Sequence, residues 1–178
     1  MDALYIHIPF CDKKCLYCDF WTFINMENEI DHYVSYLIKE FRLYPESEYD
    51  TVYFGGGTPS LLSVENFKNI LEEIKIKENS EITVEINPKN LSEKDFLEYK
   101  QIGINRLSIG IQSFQDHILK SLGRNHTGEE ARKIYFDARK AGFDNITVDL
   151  MFGIPGQTIE DLYADLEIIK EIEPDHIS

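Results

Sequence analysis

Short apolar runs alternate with amphipathic segments along the chain. Five runs rich in β-branched residues are typical of strands, at residues 4–8, 51–54, 82–86, 107–111 and 146–151. Between them apolar residues recur at helical spacing, and residues 30–41 carry them at i, i+3, i+4, i+7, i+8 and i+11. This alternation predicts an α/β fold in which a parallel sheet is connected by right-handed crossovers.

The predicted helices are bounded by residues that favour helix ends. Ser63 is a plausible N-cap, Ser92 with Asp95 opens a helix, and Thr127 with Glu130 forms a capping box. One predicted helix begins after Ser63. Others span residues 92–103, 116–122, 127 to about 142, and 159–169, and Pro174 follows the last of them.

The number of these units indicates a partial barrel. A closed (β/α) barrel of eight units takes about 250 residues, or about 31 per unit. The 178 residues therefore hold five to six βα units, and residues 175–178 resemble the start of a sixth strand. We predict a partial TIM-type barrel, truncated at its C-terminus, that forms one incomplete domain over residues 1–178.

The charge balance limits the possible partners. The chain has 18 Lys and Arg against 32 Asp and Glu, a formal net charge of −14. Nucleic acids and anionic membranes require a basic surface, so neither is expected as a partner. No run of about 18 apolar residues exists and the N-terminus lacks a signal-peptide pattern, so we expect a cytoplasmic protein without a transmembrane segment.

The three cysteines lie within eight residues, as Cys11, Cys15 and Cys18. Their odd number, without an export signal, argues against disulfides. A zinc site would need a fourth ligand, and neither His7 nor His32 has a usual zinc-finger offset. A [4Fe–4S] cluster held by three cysteines would leave one iron open to a small molecule. Both interpretations remain open at this point.

Polar candidates follow the predicted strands, where βα barrels place their chemistry. The glycine run at 55–57 precedes Thr58 and lacks the lysine of a P-loop, so its backbone is a candidate for close ligand contact but not for nucleotide phosphate. Glu85 and Asp149 interrupt apolar strands, where a charge needs a partner, either a ligand group or structural hydrogen bonds. Gln112 offers a donor and an acceptor, and Arg124 is either a carboxylate ligand or a solvated residue.

Together these motifs resemble the radical SAM superfamily and, within it, the coproporphyrinogen III dehydrogenase family. The resemblance is carried by the Cys-x3-Cys-x2-Cys loop at 11–18, and by YIHIPFC at 5–11, FGGGTPS at 54–60, VEINP at 84–88, SIGIQS at 108–113 and DLMFGIPGQT at 149–158.

The resemblance implies two cofactors. Cys11, Cys15 and Cys18 would ligate a [4Fe–4S] cluster whose fourth iron takes S-adenosylmethionine, and the superfamily uses this pair to generate a 5′-deoxyadenosyl radical. The residues implied to line the S-adenosylmethionine site are Tyr5, Tyr17, Gly56, Gly57, Thr58, Glu85, Gln112, Arg124 and Asp149. By charge, Arg124 suits the methionine carboxylate, and Asp149 with Gln112 suits the ribose hydroxyls.

The family has two branches, and the sequence leaves open whether the chain is an enzyme. One branch decarboxylates coproporphyrinogen III oxidatively, and the other, the HemW-type haem chaperone, binds haem and delivers it to acceptor proteins. The dehydrogenase branch has a further cysteine two residues after the third ligand, where this chain has Phe20. That difference favours the chaperone, with the dehydrogenase as the alternative and a radical SAM enzyme acting on RNA disfavoured by the acidic charge. No histidine is assigned to haem, whose site is expected beyond Ser178.

Overall fold

The computed structural model describes residues 2–44, 47–89 and 91–178. The strands in these ranges are β1 (Ala3–Ile8), β2 (Phe10–Cys11), β3 (Phe23–Ile24), β4 (Glu48–Gly56), β5 (Lys75–Ile86), β6 (Arg106–Gln112), β7 (Ile146–Leu150) and β8 (His176–Ile177). The α-helices are α1 (Ile30–Phe41), α2 (Val64–Glu72), α3 (Glu93–Gln101), α4 (Asp116–Ser121), α5 (Gly128–Lys140) and α6 (Ile159–Ile172). Short 3-10 turns at Glu27–Glu29 and Pro59–Leu61 precede α1 and α2.

Six strands form one parallel sheet in chain order, β1-β4-β5-β6-β7-β8. In the register across its first strands, Tyr5 pairs with Tyr53 and Tyr53 with Thr83. β1 and the predicted sixth strand, β8, lie at the two edges. The predicted parallel α/β architecture of a partial TIM-type barrel is confirmed, and all six strands end at the same side of the sheet.

An aromatic chain connects the sheet to the helices that cover it. Phe54 of β4 meets Phe67 of α2 edge-on at 5.1 Å between ring centroids, and Phe67 meets Tyr99 of α3 at 5.2 Å. Phe96, beside Tyr99 on α3, contacts Phe143 in turn at 6.0 Å. All five side chains are buried. Edge-to-face geometry adds to their apolar burial, so this core holds the strand ends in a fixed arrangement.

Helix starts agree with the predicted caps. The side chains of Ser63 and Thr127 accept hydrogen bonds from the backbone amides three residues later, and Asn66 completes a capping box at α2. α3 likewise begins after Ser92, whose amide is bonded by Asp95. These local hydrogen bonds satisfy first-turn amides that the helix itself leaves free.

The structure corrects several strand boundaries. β4 starts at Glu48 and β5 at Lys75, earlier than the predicted 51 and 82, because their first residues are polar and partly exposed and lack an apolar signature. Met151 lies outside β7. None of the helices in the described ranges is long and apolar enough to cross a membrane.

A two-stranded pair that the pattern does not predict closes the cysteine loop. β2 and β3 pair in parallel, Phe10 with Phe23 and Cys11 with Ile24. The amide of Phe23 also donates to the carbonyl of Pro9 at 2.6 Å. Each strand has only two residues, too short for a periodic signal. The pair fixes both ends of the loop that carries all three cysteines.

Candidate cofactor site

A cleft of about 220 Å³ lies where β4, β5, β6 and β7 end. It is lined by eleven of the twelve predicted site residues: Cys11, Cys15, Tyr17, Cys18, Gly56, Gly57, Thr58, Glu85, Gln112, Arg124 and Asp149. The parallel order of the sheet explains this convergence, because residues at the carboxyl ends of neighbouring strands meet at one edge.

The glycine loop is bonded directly to the cysteine loop. The amide of Gly57 donates to the carbonyl of Ile8 at 2.8 Å, and the amide of Thr58 donates to that of Phe10 at 2.7 Å. A Cβ on Gly57 would lie 2.6 Å from the Phe10 oxygen and 3.0 Å from Cys11 Sγ. Only glycine therefore allows this approach of the two loops.

The three cysteines differ in environment. Cys11 is buried, whereas Cys15 and Cys18 are partly exposed, and all three are free thiols. Burial raises the pKa of the Cys11 thiol, and a hydrogen bond donated by the Thr58 hydroxyl at 3.3 Å to Sγ opposes this shift. A hydroxyl donor to sulfur suits a thiolate ligand.

The three thiols beside the cleft are a donor set that an iron–sulfur cluster can use. In the described ranges no three His, Cys, Asp or Glu side chains converge as they would around a single metal ion. A cubane binds each thiolate through a different iron, so its ligands do not need to converge on one point. The three thiols beside the cleft, with the Gly57 backbone packed on Cys11, fit such a cluster.

Arg124 connects the cysteine loop to the strand ends. One terminal nitrogen donates to Asn87 Oδ1 at 2.8 Å and to the Gly110 carbonyl at 2.7 Å. The other lies 3.5 Å from Cys15 Sγ and 3.4 Å from the Tyr17 hydroxyl. Its Nε is buried without a hydrogen-bond partner among the described residues. A buried donor without a partner is destabilising, so the guanidinium is suited to an anionic ligand in the cleft.

Two half-buried carboxyl groups lie across the cleft. Glu85 accepts hydrogen bonds from the Tyr53 hydroxyl at 2.8 Å and from the Gly56 amide at 3.2 Å. Burial raises the pKa of Glu85, the two hydrogen bonds oppose the shift, and the charge of Asp149 adds to it. Burial likewise raises the pKa of Asp149, opposed by a hydrogen bond with Ser178 and by the charge of Arg124. Such groups are suited to bind hydroxyl or ammonium groups.

Gln112 ends β6 in an unusual backbone conformation. Its φ is +70°, and the pairing of β6 with β7 shifts register between Ile109 and Gln112. Its carbonyl accepts the amide of Met151 at 2.9 Å. A left-handed residue at a bulge changes the direction of a side chain at a strand end, and such strain concentrates at functional sites.

A second layer supports the cysteine loop and was not identified from the sequence. Asn125 donates to the carboxylate of Asp12, and the amide of Leu16 donates to the Leu122 carbonyl at 3.0 Å. Asn87, which bonds Arg124, lies 3.4 Å from Asn125. Asn87 lies within the VEINP motif and Asn125 follows Arg124, but their contacts span 38 positions (Asn87 to Asn125) and 113 positions (Asn125 to Asp12). A hydrogen bond between residues so far apart in the chain leaves no pattern in any short stretch of the sequence.

The two tyrosines differ in position. Tyr17 lines the cleft, and burial raises its pKa while the nearby Arg124 charge opposes that shift. Tyr5 instead lines a cavity beside α1, where its hydroxyl lies 3.2 Å from His7 Nδ1 and its ring stacks on Tyr53 at 6.0 Å. Tyr5 is therefore not among the residues that line the cleft, and its role at the cofactor stays a prediction.

The fold and the cysteine-lined cleft agree with the family comparison. Residues 5–169 match the radical SAM superfamily, and the chain belongs to it. The cofactors of this superfamily are a [4Fe–4S] cluster and S-adenosylmethionine.

The similar proteins include haem chaperones. The chain is 42% identical to the haem chaperone HemW of Buchnera aphidicola subsp. Acyrthosiphon pisum (strain APS), over 99% of this chain and 49% of the relative. It is 38% identical to HemW of Escherichia coli (strain K12), with the same shares. Among solved structures, the coproporphyrinogen III oxidase HemN from Escherichia coli, a radical SAM enzyme, superposes with a TM-score of 0.89 at 28% identity, over 99% of this chain and 44% of that one. The chain thus spans about half the length of these relatives.

Proposed function

We propose that this protein is a haem-binding chaperone built on a radical SAM scaffold, which delivers haem to acceptor proteins. The observation that carries the proposal is 42% identity to a haem chaperone over 99% of the chain. Cytoplasmic localisation is part of the same proposal. Fractionation of cells that express the protein tests it.

Within this proposal Cys11, Cys15 and Cys18 hold the cluster. The Thr58 hydroxyl stabilises the Cys11 thiolate, and the Arg124 guanidinium faces Cys15. A cluster held by these three thiolates would supply one-electron reduction chemistry for S-adenosylmethionine. The chain's own contribution is to position the thiolates and to limit solvent access through the packed glycine and cysteine loops.

The polar residues of the cleft divide by charge. We assign Arg124 to the methionine carboxylate, supported by its unpartnered Nε. Gln112 and Asp149 are assigned to the ribose hydroxyls, and Glu85 to a hydroxyl or ammonium group. Tyr17, Gly56 and Gly57 also line the cleft. Among these assigned residues, two carboxyl groups and one guanidinium match the charged groups of S-adenosylmethionine, which carries two cationic centres and one carboxylate.

The alternative is an oxygen-independent coproporphyrinogen III dehydrogenase. It is favoured by the superposition with the coproporphyrinogen III oxidase at a TM-score of 0.89. Phe20 weighs against it. This side chain lines the cleft and is 60% exposed, at the position where the family resemblance places an additional cysteine in the dehydrogenase branch.

An anaerobic assay separates the two functions. The reconstituted, reduced protein is incubated with S-adenosylmethionine and coproporphyrinogen III, and protoporphyrinogen is measured. In parallel, haem is titrated by its absorbance and its transfer to an acceptor apoprotein is followed. We expect haem binding and transfer without porphyrinogen turnover. Conversion of coproporphyrinogen that is abolished by Cys15→Ala would establish the dehydrogenase instead.

A further inference from the structure

A buried carboxylate lies behind the cofactor cleft. Asp165, in the middle of α6, is 1% exposed, and it is not among the residues that line the cleft. Burial of a carboxylate is unfavourable unless hydrogen bonds replace the water that it loses. The hydrogen-bond partners of Asp165 therefore indicate what this group does in the fold.

Asp165 accepts three hydrogen bonds, from three consecutive residues that follow β6. The Ser113 hydroxyl donates to Oδ2 at 2.7 Å, and the Phe114 backbone amide and the Gln115 side-chain amide donate to Oδ1 at 2.8 Å and 3.1 Å. The Gln115 backbone amide also donates to the Ser113 hydroxyl oxygen at 3.0 Å. We call residues 112–115 the β6 turn. A single carboxylate of α6 thus holds most of this turn.

The β6 turn begins at Gln112, whose φ of +70° is rarely adopted by residues with a side chain. Such a conformation persists only where the surrounding structure enforces it. On the near side, His126 Nε2 donates to the carbonyl of Ile111 at 3.1 Å, and the carbonyl of Gln112 accepts the Met151 amide at 2.9 Å. Asp165 restrains the residues on the far side, so the backbone is held both before and after Gln112.

The backbone of the β6 turn determines where the Gln112 carboxamide lies. A Cβ on Gly110 would be 3.1 Å from Gln112 Nε2 and 3.6 Å from a terminal nitrogen of Arg124. The carboxamide and the guanidinium therefore both lie against Gly110, and both line the cleft. A shift of the turn would move the carboxamide relative to the guanidinium.

We propose that Asp165 is a positioning residue of the S-adenosylmethionine site, which acts through the β6 turn to hold the Gln112 carboxamide at the ribose hydroxyls. The inference rests on the proposed function, which assigns Gln112 and Asp149 to these hydroxyls. Asp165 does not contact the ligand in this role, but fixes a residue that does. Because α6 follows β7, which carries Asp149, the same carboxylate ties the two ribose-binding strand ends together.

The test compares S-adenosylmethionine with its 2′-deoxy and 3′-deoxy analogues in equilibrium dialysis against the reconstituted, unreduced protein. The wild type should prefer S-adenosylmethionine about fivefold to tenfold over the analogue that lacks the hydroxyl bound by Gln112. Gln112→Ala should reduce this preference to about twofold or less, and Asp165→Ala should reduce the same preference by a similar factor. The double variant should lose no more than either single variant, since both act at one contact.

Asp137→Ala is the matched control. Asp137 is also a buried carboxylate on a helix, 6% exposed, but it pairs with Lys133 of its own helix α5 and is not among the residues that line the cleft. Asp137→Ala and Asp165→Ala should both unfold at lower urea concentration than the wild type. Only Asp165→Ala should change the ribose preference, and a loss in both variants would show a general loosening of the fold instead of positioning.

The outcomes separate this inference from the proposed function. If Gln112→Ala lowers the preference and Asp165→Ala leaves it unchanged, the inference is wrong but the assignment of Gln112 stands. If Gln112→Ala has no effect, the assignment and the inference are both wrong, and a wild type that does not bind S-adenosylmethionine would overturn the cofactor site itself. If Asp165→Ala does not fold, Ser113→Ala removes one of the three hydrogen bonds from the other side. It should lower the same preference in part, and an unchanged preference would overturn the inference.

Discussion

Replacing Gly57 with alanine tests how the glycine loop supports the cysteine loop. The added Cβ would lie 2.6 Å from the Phe10 carbonyl oxygen and 3.0 Å from both the Ile8 oxygen and Cys11 Sγ. Two of these atoms are backbone oxygens that cannot rotate away, and both accept the amide hydrogen bonds that join the loops. The loops must therefore separate. Overpacking of this kind costs about 1–3 kcal/mol in unfolding free energy.

Iron binding should respond more than stability. We expect Gly57→Ala to unfold at lower urea concentration and to retain well under half of the wild-type iron after anaerobic reconstitution, because Cys11 is displaced. The control is Gly153→Ala. Gly153 has φ +75°, and apart from its chain neighbours no heavy atom of the described chain lies within 4 Å of the place where an added Cβ would sit. Alanine at this position therefore introduces only backbone strain, of about 1–2 kcal/mol. Full iron content in Gly57→Ala, with wild-type stability, would show that the contact of Gly57 with Phe10 and Cys11 does not hold the cysteine loop in place.

Three further predictions concern single side chains at or near the cleft. Burial, assisted by the Arg124 charge, lowers the pKa of His126 from 6.5 to about 4. Between these two pH values the unfolded chain therefore binds a proton at His126 that the folded chain does not bind. Stability should fall by about 3 kcal/mol as pH decreases from 6.5 to 4, and His126→Gln should flatten this dependence in urea unfolding. Glu85→Gln should weaken S-adenosylmethionine binding about tenfold by equilibrium dialysis, and unchanged affinity would remove Glu85 from the site. In the same assay Tyr17→Phe should weaken binding severalfold, whereas Tyr5→Phe should stay within twofold of the wild type.

The periodicity of apolar residues, with the capping residues, was sufficient to predict the parallel sheet and the starts of several helices. Helices such as α1 have a complete apolar face, and the caps at Ser63 and Thr127 are local contacts over three residues. Because neighbouring strands are parallel and follow one another along the chain, their carboxyl ends lie at the same edge of the sheet, and no further evidence is needed to predict this. The cleft could therefore be predicted from residues that are distant in the chain.

The remaining features depend on contacts that have no local signature. β2 and β3 are held by pairing with each other, not by an apolar pattern of their own. The bond between Asn125 and Asp12 crosses 113 positions. Tyr5 belongs to a recognised motif, but its strand position directs it to the cavity beside α1.

The cluster assignment gives Cys11, Cys15 and Cys18 as the ligands of a [4Fe–4S] cluster with one iron left for S-adenosylmethionine. It is tested most directly by electron paramagnetic resonance of the reduced, reconstituted protein, recorded with and without S-adenosylmethionine. We expect about four irons per chain and a cluster signal that changes when S-adenosylmethionine binds. Stoichiometric zinc without iron uptake, or a cluster signal that S-adenosylmethionine leaves unchanged, would contradict it.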